Sequence, residues 1–363
     1  MACVHRGVEI DCAPEGNDQV TDPPATPASK GRAQFLKESL YTPPPRPAPE
    51  TPPTAVLVLS AVLDQFGHNF LLNDLGVDLT SGRMGERIYS ESLSVPGHEP
   101  RRRESPVERV HQARVSVRRL RSTVRTFAGL LDDEWTASIS SALSWYGGIL
   151  GVARDLDVLR AAIAKSVWLV DDDALRSLLL GFIDTTIADA VVQGNEERST
   201  LRYRRLVDDI ASVAVGARFK DGASGGAREV LLPELRTTWH DARRAYRDAL
   251  QRTTDRKLHR LRISLKRLQY ASETIGIVEG KPAVRLAHSA EALQTKLGAV
   301  HDAVGAVEWL EGLIEFDARL AKPLRDLIEY HRNARREARR GWRDDFKRVE
   351  RSWARLHDAA DDD

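Results

Sequence analysis

His111-Gln112-Ala113-Arg114-Val115-Ser116-Val117-Arg118-Arg119-Leu120 returns 148 residues later as His259-Arg260-Leu261-Arg262-Ile263-Ser264-Leu265-Lys266-Arg267-Leu268. A second pair, Leu150-Gly151-Val152-Ala153-Arg154-Asp155 and Leu297-Gly298-Ala299-Val300-His301-Asp302, follows in the same order at an offset of 147. Two matches at nearly one offset identify a duplicated unit, which has to be read before any motif inside it. Placed at about 100° per residue, Arg114, Arg118, Arg121 and Arg125 fall within roughly 80° of His111. Val110, Ala113, Val117, Leu120, Val124 and Phe127 occupy the neighbouring arc, at roughly 160° to 260°. The cations therefore border the apolar stripe instead of lying opposite it, as an ordinary solvated face would. Fourteen residues separate His111 from Arg125, a linear track of ~21 Å at 1.5 Å per residue. His259, Arg262 and Lys266 repeat the geometry beside Leu258, Leu261, Leu265 and Leu268.

The second copy departs from the first where Gln269 and Glu273 replace Arg121 and Arg125. Glu273 is expected to accept an ion pair from a basic residue and fix its rotamer. A third run, His331 to Arg343, holds six Arg and one acid, Glu337, and Arg198, Arg202, Arg204 and Arg205 form its shorter counterpart in the first half. Asp155 and Asp302 are expected to pair with neighbouring Arg or to adjust helix packing, and no second carboxylate in a clear motif gives either of them a general acid or base role. The histidines lack Cys, Asp or Glu at ligand spacing, so no metal site is expected.

Outward from these motifs the texture is helical, with expected helices at about 54–73, 106–131, 134–165, 172–215, 230–253, 255–278, 282–314 and 317–357. Residues 1–53 carry the Pro clusters Pro23-Pro24, Pro43-Pro44-Pro45 and Pro52-Pro53 without a sustained apolar period, and read as a disordered or polyproline-like tail. The expected organisation is an N-terminal helical half at 54–215 with a polar insertion at 75–105, a Gly-rich hinge at 216–228, a C-terminal helical half at 229–357, and an acidic tail at 358–363. At 363 residues the chain has room for two such halves. Its only cysteines, Cys3 and Cys12, lie in the tail, so a disulfide framework is not expected for the helical part. The longest apolar runs fall short of the ~20 residues a membrane helix needs, and the start lacks the basic-then-apolar order of a signal peptide. A cytoplasmic protein without membrane association is expected.

The paired His-x-x-Arg helices and the Leu-Gly-x-x-x-Asp echoes resemble the CHAD family, named for a conserved-histidine α-helical domain. The resemblance covers roughly 54–357 and leaves the tail and the 75–105 insertion outside. It implies an all-α fold of two antiparallel four-helix bundles related by internal pseudo-two-fold symmetry, with the basic helices facing a central groove or pore. It also implies binding of inorganic polyphosphate, association with polyphosphate granules and their proteins, and no cofactor. The binding residues it implies are His111, Arg114, Arg118, Arg119 and Arg121 in the first half and His259, Arg262, Lys266 and Arg267 in the second, with Arg335, Arg336, Arg339 and Arg340 joining them; the helical stripe adds Arg125. Members of the family are often fused to a CYTH triphosphatase domain, whose alternating Glu-x-Glu-x-Lys strand is not found in this sequence.

Physical chemistry favours the same ligand. The stripe has no interleaved aromatics on which the bases of a single-stranded nucleic acid would stack, and duplex DNA would call for an exposed recognition helix. Nucleic acid is therefore not expected as a partner. Two alternatives stay open at this stage, a phosphohydrolase acting on polyphosphate or a nucleoside triphosphate, and a nucleic-acid-binding or helical scaffold protein. The formal charge of +1 excludes neither, because it is a sum: residues 101–125 hold nine Arg against Glu104 and Glu108, while Asp171-Asp172-Asp173 and Asp361-Asp362-Asp363 cancel them elsewhere.

Overall fold

The computed structural model describes residues 52–74, 94–98, 101, 103, 105–211 and 217–361. Residues 1–51 of the expected tail with both cysteines, 75–93 and part of 99–104 in the insertion, 212–216 at the start of the hinge, and 362–363 lie outside the described residues. The fold is all-α. Its helices are α1 (Ala55–Asp74), α2 (Pro106–Thr126), α3 (Asp133–Ala164), α4 (Asp173–Arg198), α5 (Leu201–Ala211), α6 (Ala227–Gln251), α7 (Asp255–Glu279), α8 (Lys281–Phe316), α9 (Arg325–Ala338) and α10 (Trp342–Asp361). Among the described residues β pairing is confined to two isolated bridges, Thr54 with Gly226 and Leu131 with Phe219.

Side-chain caps fix several helix starts by accepting a backbone N–H that would otherwise lack a partner. Asp132 accepts from Trp135 at 2.9 Å, Asp172 from Leu175 at 3.0 Å and Thr254 from Lys257 at 3.3 Å. Caps also explain where the expected helices break. The stretch expected as one helix over 172–215 divides because the Thr200 hydroxyl accepts the Tyr203 N–H at 3.2 Å and begins α5. The stretch expected over 317–357 divides at Gly341, whose φ of +72° is left-handed backbone that favours glycine and ends α9. Asp317 caps a short turn ahead of α9 by accepting from the Arg319 N–H at 3.0 Å.

Three apolar clusters hold the helices. One gathers Val117, Leu120, Leu143, Tyr146, Leu206 and Ile210 of the first half, and another gathers Leu235, Trp239, Leu261, Leu265, Leu286 and Phe346 of the second. Each fully buried Leu in them contributes about 1.5–3 kcal/mol. Helix α1 serves both, with Val58 and Leu59 in the second cluster and Val62, Leu63, Phe66 and Phe70 in the first. A third cluster joins the far ends of the halves, packing Ile163, Leu179 and Ile183 against Val307, Leu310, Leu327 and Ile328. The halves thus share apolar packing in two separate places.

Two polar devices tie irregular chain to this frame. On α1, Gln65, Asn69 and Asn73 stand four residues apart and form a buried ladder. Gln65 donates to the carbonyls of Val95 and His98 at 3.0 and 3.1 Å, and Asn73 donates to the Arg101 carbonyl at 2.9 Å. The end of the insertion is therefore bound to the core helix. Helix α1 is long and apolar enough to cross a membrane by length and composition, yet 89% of that window is buried within the protein. The described part of the Gly-rich hinge is likewise fastened on both sides. The Arg218 carbonyl accepts from Asp132 N–H at 2.8 Å, Lys220 N–H donates to Leu130 at 3.0 Å, and Ala55 N–H donates to Gly225 at 3.1 Å.

Candidate functional site

Helix α2 buries Ala113, Val117, Leu120 and Val124, and α7 buries Leu258, Leu261, Leu265 and Leu268. The bordering cations must then emerge at the edge of the packed surface, where the two helices meet. Arg114, Arg118, His111, His259, Arg262, Lys266 and Arg267 are half-buried, and Arg121 and Arg125 are exposed. The stripes converge, because Arg118 and Arg114 of α2 both act on Arg262 and Lys266 of α7. The Arg118 guanidinium also lies 6.0 Å from the centroid of the Tyr270 ring on α7. The second pair of repeated motifs reaches the same place. Asp155 accepts from Arg114 at 2.8 Å, and Asp302 lies in the fields of Arg262, Lys266 and Asp155.

Burial and like charge give this cluster its electrostatic character. Lys266 is pushed down to about 7, first by burial and then by Arg118, Arg262 and Arg114, with Asp302 opposing weakly. Burial is also the main cause that lowers Arg262, countered by Asp302 and reinforced by Arg118. His111 is lowered by burial, Arg154, Arg118 and Arg114, and His259 by burial, His301, Arg262 and Lys266. Among the described residues, Arg118, Arg262 and Lys266 form neither a hydrogen bond nor an ion pair. The buried Nε atoms of Arg118 and Arg262 and the Nδ1 atoms of His111 and His259 find no protein acceptor. The helix backbone of α8 comes close at Gly298, where an added Cβ would stand 3.6 Å from Arg262 Nε, so the Leu-Gly echo lies directly against the site.

The other sequence-derived residues occupy different environments. Arg119 is only 4% exposed and turns inward. It pairs with Glu273, donates to His98 Nε2 at 2.7 Å, and lies 5.2 and 4.5 Å from the centroids of Phe66 and Tyr270. A guanidinium so enclosed is a strut joining α1, α2, α7 and the end of the insertion, and it offers nothing to a ligand. Arg267, its repeat equivalent, donates to Asp241 at 3.3 Å and is lowered by burial and by Arg125. In the third run, Arg335 and Arg339 pair with Asp255 at the start of α7, at 3.5 and 2.6 Å. Arg336, on the exposed face of α9, and Arg340, in the turn just after it, pair with Glu329 and Glu337 at 2.5 and 2.8 Å. The third run therefore splits. His331 at its head is 4% exposed, 3.0 Å from the Ser166 hydroxyl in the third apolar cluster's region, and lowered by burial.

One cluster draws a single member, Arg198, from the basic runs read in the sequence. Asp74, whose side chain is fully buried, accepts from Tyr146 at 2.9 Å, from Arg198 at 2.9 Å and from Tyr203. Burial and Asp74 hold both tyrosine hydroxyls well above their ordinary value. Arg198 is thereby occupied as a structural partner. A cleft of about 270 Å³ adjoins the basic cluster at His259 and is lined also by His301, Leu297, Asp255 and Glu308. The His259 and His301 rings lie 4.6 Å apart in it. Among the described residues no group of three or more His, Cys, Asp or Glu is placed to hold a metal ion.

What this arrangement can do is hold a multivalent anion along paired helices. Solved structures share the architecture. PptA from Streptomyces chartreusis is 20% identical, with 84% of this chain and 100% of that chain covered at a TM-score of 0.58. The CHAD domain from the plant Ricinus communis is 21% identical, with 85% and 97% covered at a TM-score of 0.59. No curated protein sequence matches. The CHAD domain family model matches residues 94–311, beginning within the expected 75–105 insertion. That span contains both histidine motifs and both Leu-Gly echoes, and the chain belongs to the CHAD domain family.

Proposed function

We propose that this protein is a non-catalytic binder of inorganic polyphosphate, and that in cells it works in the cytoplasm at polyphosphate granules. The observation that carries the reading is the cluster of Arg118, Arg262 and Lys266, three partly buried cations from two helices without a protein acceptor among the described residues. Arg114, Arg121 and Arg125 extend it along α2, with His111 and His259 at its flanks. Guanidiniums hold phosphoryl oxygens through paired N–H donors, and a flexible unbranched anion can follow two helices without any base to stack. Arg119, Arg267, Arg335 and Arg339 support the frame through their own carboxylates, and Arg336 and Arg340 lie apart, paired with Glu329 and Glu337. No residue is assigned a catalytic role.

The test is polyphosphate binding by wild type against Arg114→Ala/Arg118→Ala and Arg262→Ala/Lys266→Ala, with folding followed by circular dichroism. Both doubles should lose binding with unchanged helicity. Affinity should fall with salt, with a log–log slope of about −0.7 per phosphate neutralised if the value for single-stranded nucleic acid carries over. A flat salt response would remove the proposal. So would phosphate release in the presence of a divalent metal that Asp155→Asn or Asp302→Asn abolished.

A further inference from the structure

The chain holds ten lysines, and Lys266 differs in setting from those whose ammonium faces a carboxylate. Lys220, Lys296 and Lys347 meet Asp133, Asp345 and Asp344 at 2.6–2.8 Å. Lys266 instead stands partly buried one helical turn beyond Arg262, with Arg118 and Arg114 facing it from α2 and Asp302 of α8 as the one acid among the groups acting on it. An amine that forms no ion pair, beside the Arg118 and Arg262 guanidiniums that form no hydrogen bond among the described residues, places a nucleophile next to a phosphoryl cradle. We propose that Lys266 is a self-acylation site whose co-reactant is an acyl phosphate, the mixed anhydride of a carboxylic acid and phosphoric acid. The inference rests on the reading of Arg118 and Arg262 as holders of phosphoryl oxygens.

The step balances without any further reagent. Arg118 and Arg262 hold the phosphoryl end, and the acyl carbon lies next to Lys266. The Nζ lone pair attacks that carbon, the C–N bond forms, and the C–O bond to phosphorus breaks with its electron pair leaving on inorganic phosphate. The surplus proton on nitrogen passes to the departing phosphate or to water. The same guanidiniums that orient the anhydride stabilise the phosphate that departs, as preorganised donors aimed at developing charge do. Burial and the three arginines keep Lys266 near 7, so a large fraction of the amine is neutral at neutral pH, against roughly one part in a thousand for an ordinary lysine. The product amide carries no charge. Acylation therefore removes the central cation of the cluster and lowers its affinity for a polyanion, which makes the modification a negative control on binding.

The experiment incubates the full chain with acetyl phosphate at pH 7.5 and measures acetyl occupancy at each lysine by mass spectrometry. Lys266 should be labelled at least about tenfold faster than the exposed Lys281 and Lys322, since its larger neutral fraction outweighs its lower basicity. Arg118→Gln should lower that rate, saturating polyphosphate should protect Lys266 alone, and N-acetoxysuccinimide, which has no phosphoryl group, should give a smaller preference. Labelling of Lys266 no faster than Lys281 would overturn the proposal, as would an unchanged preference with N-acetoxysuccinimide. If polyphosphate binds and Lys266 stays unmodified, acylation fails while the binding reading stands. If acetyl phosphate labels Lys266 selectively and polyphosphate does not bind, acylation stands and the longer ligand is wrong.

Discussion

Binding of polyphosphate above neutral pH should draw a proton from solvent onto Lys266. In the unliganded cluster that amine is pushed down to about 7 by burial and by Arg118, Arg262 and Arg114. An anion laid across the three arginines cancels their repulsion, and its own charge beside the amine opposes the burial cost that is the larger cause, so the amine is raised on binding. At pH 8 the unliganded amine is then protonated in about one molecule in ten and the bound amine in a larger fraction, so up to one proton is taken up per site. Affinity should fall as pH rises above about 7, by up to tenfold, or about 1.4 kcal/mol, per pH unit until the bound amine itself titrates. The assay is calorimetric titration with a short polyphosphate at pH 8 in two buffers of different ionisation heat. Lys266→Met should bind more weakly and take up no proton at this position, and Lys266→Arg should bind with the uptake removed. If wild type and Lys266→Met bind with the same proton uptake at pH 8, the reasoning fails.

Four further outcomes follow from the same contacts. His111 and His259 are both lowered below 6.5 in the unliganded protein, so an anion that charges them should bind more tightly as pH falls, with the gain levelling off only at a pH below that value; a His111→Gln/His259→Gln double should remove this gain and leave the uptake by Lys266 at pH 8. Glu273→Leu strands the buried Arg119 charge and should cost about 3–5 kcal/mol in urea unfolding, as losing one partner of a buried pair does. Asp74→Ala leaves Arg198, Tyr146 and Tyr203 without their shared acceptor and should cost a similar 3–5 kcal/mol, with polyphosphate affinity unchanged wherever the protein remains folded. Lys266→Met relieves like-charge crowding and should stabilise the unliganded protein by about 1 kcal/mol, or about 2 °C in Tm, read by differential scanning fluorimetry.

The repeat made the two basic helices legible, because a stripe of Arg bordering an apolar stripe has only one place to go once the apolar side is buried. Arg118 and Lys266 are at the centre of the cluster for that reason. The same pattern misplaces Arg119. It is adjacent in sequence to Arg118, and 100° of helical rotation is enough to turn it from the groove edge into the interior. The sequence did show that Glu273 breaks the basic pattern, but which arginine it meets depends on how α7 crosses α2. The run from His331 to Arg343 reads as one basic face, yet Arg335 and Arg339 meet Asp255 of α7, Arg332 meets Glu311 of α8, and Arg336 and Arg340 meet acids on α9 itself. Asp74 was not visible at all. Its partners lie 72, 124 and 129 residues away, and a lone Asp at a helix end carries no signal that its side chain will be fully buried.

Periodicity and repetition by themselves determined that this chain is helical, that two motifs recur in it at nearly one offset, and which residues border each apolar face. These are local properties, set within a few turns by the helical period. Only the tertiary structure decided which cations share a solvent-poor space without a protein acceptor and which are spent on struts. That outcome turns on the approach of helices distant in the chain, where a change in crossing moves a guanidinium from an anion's reach to a carboxylate's.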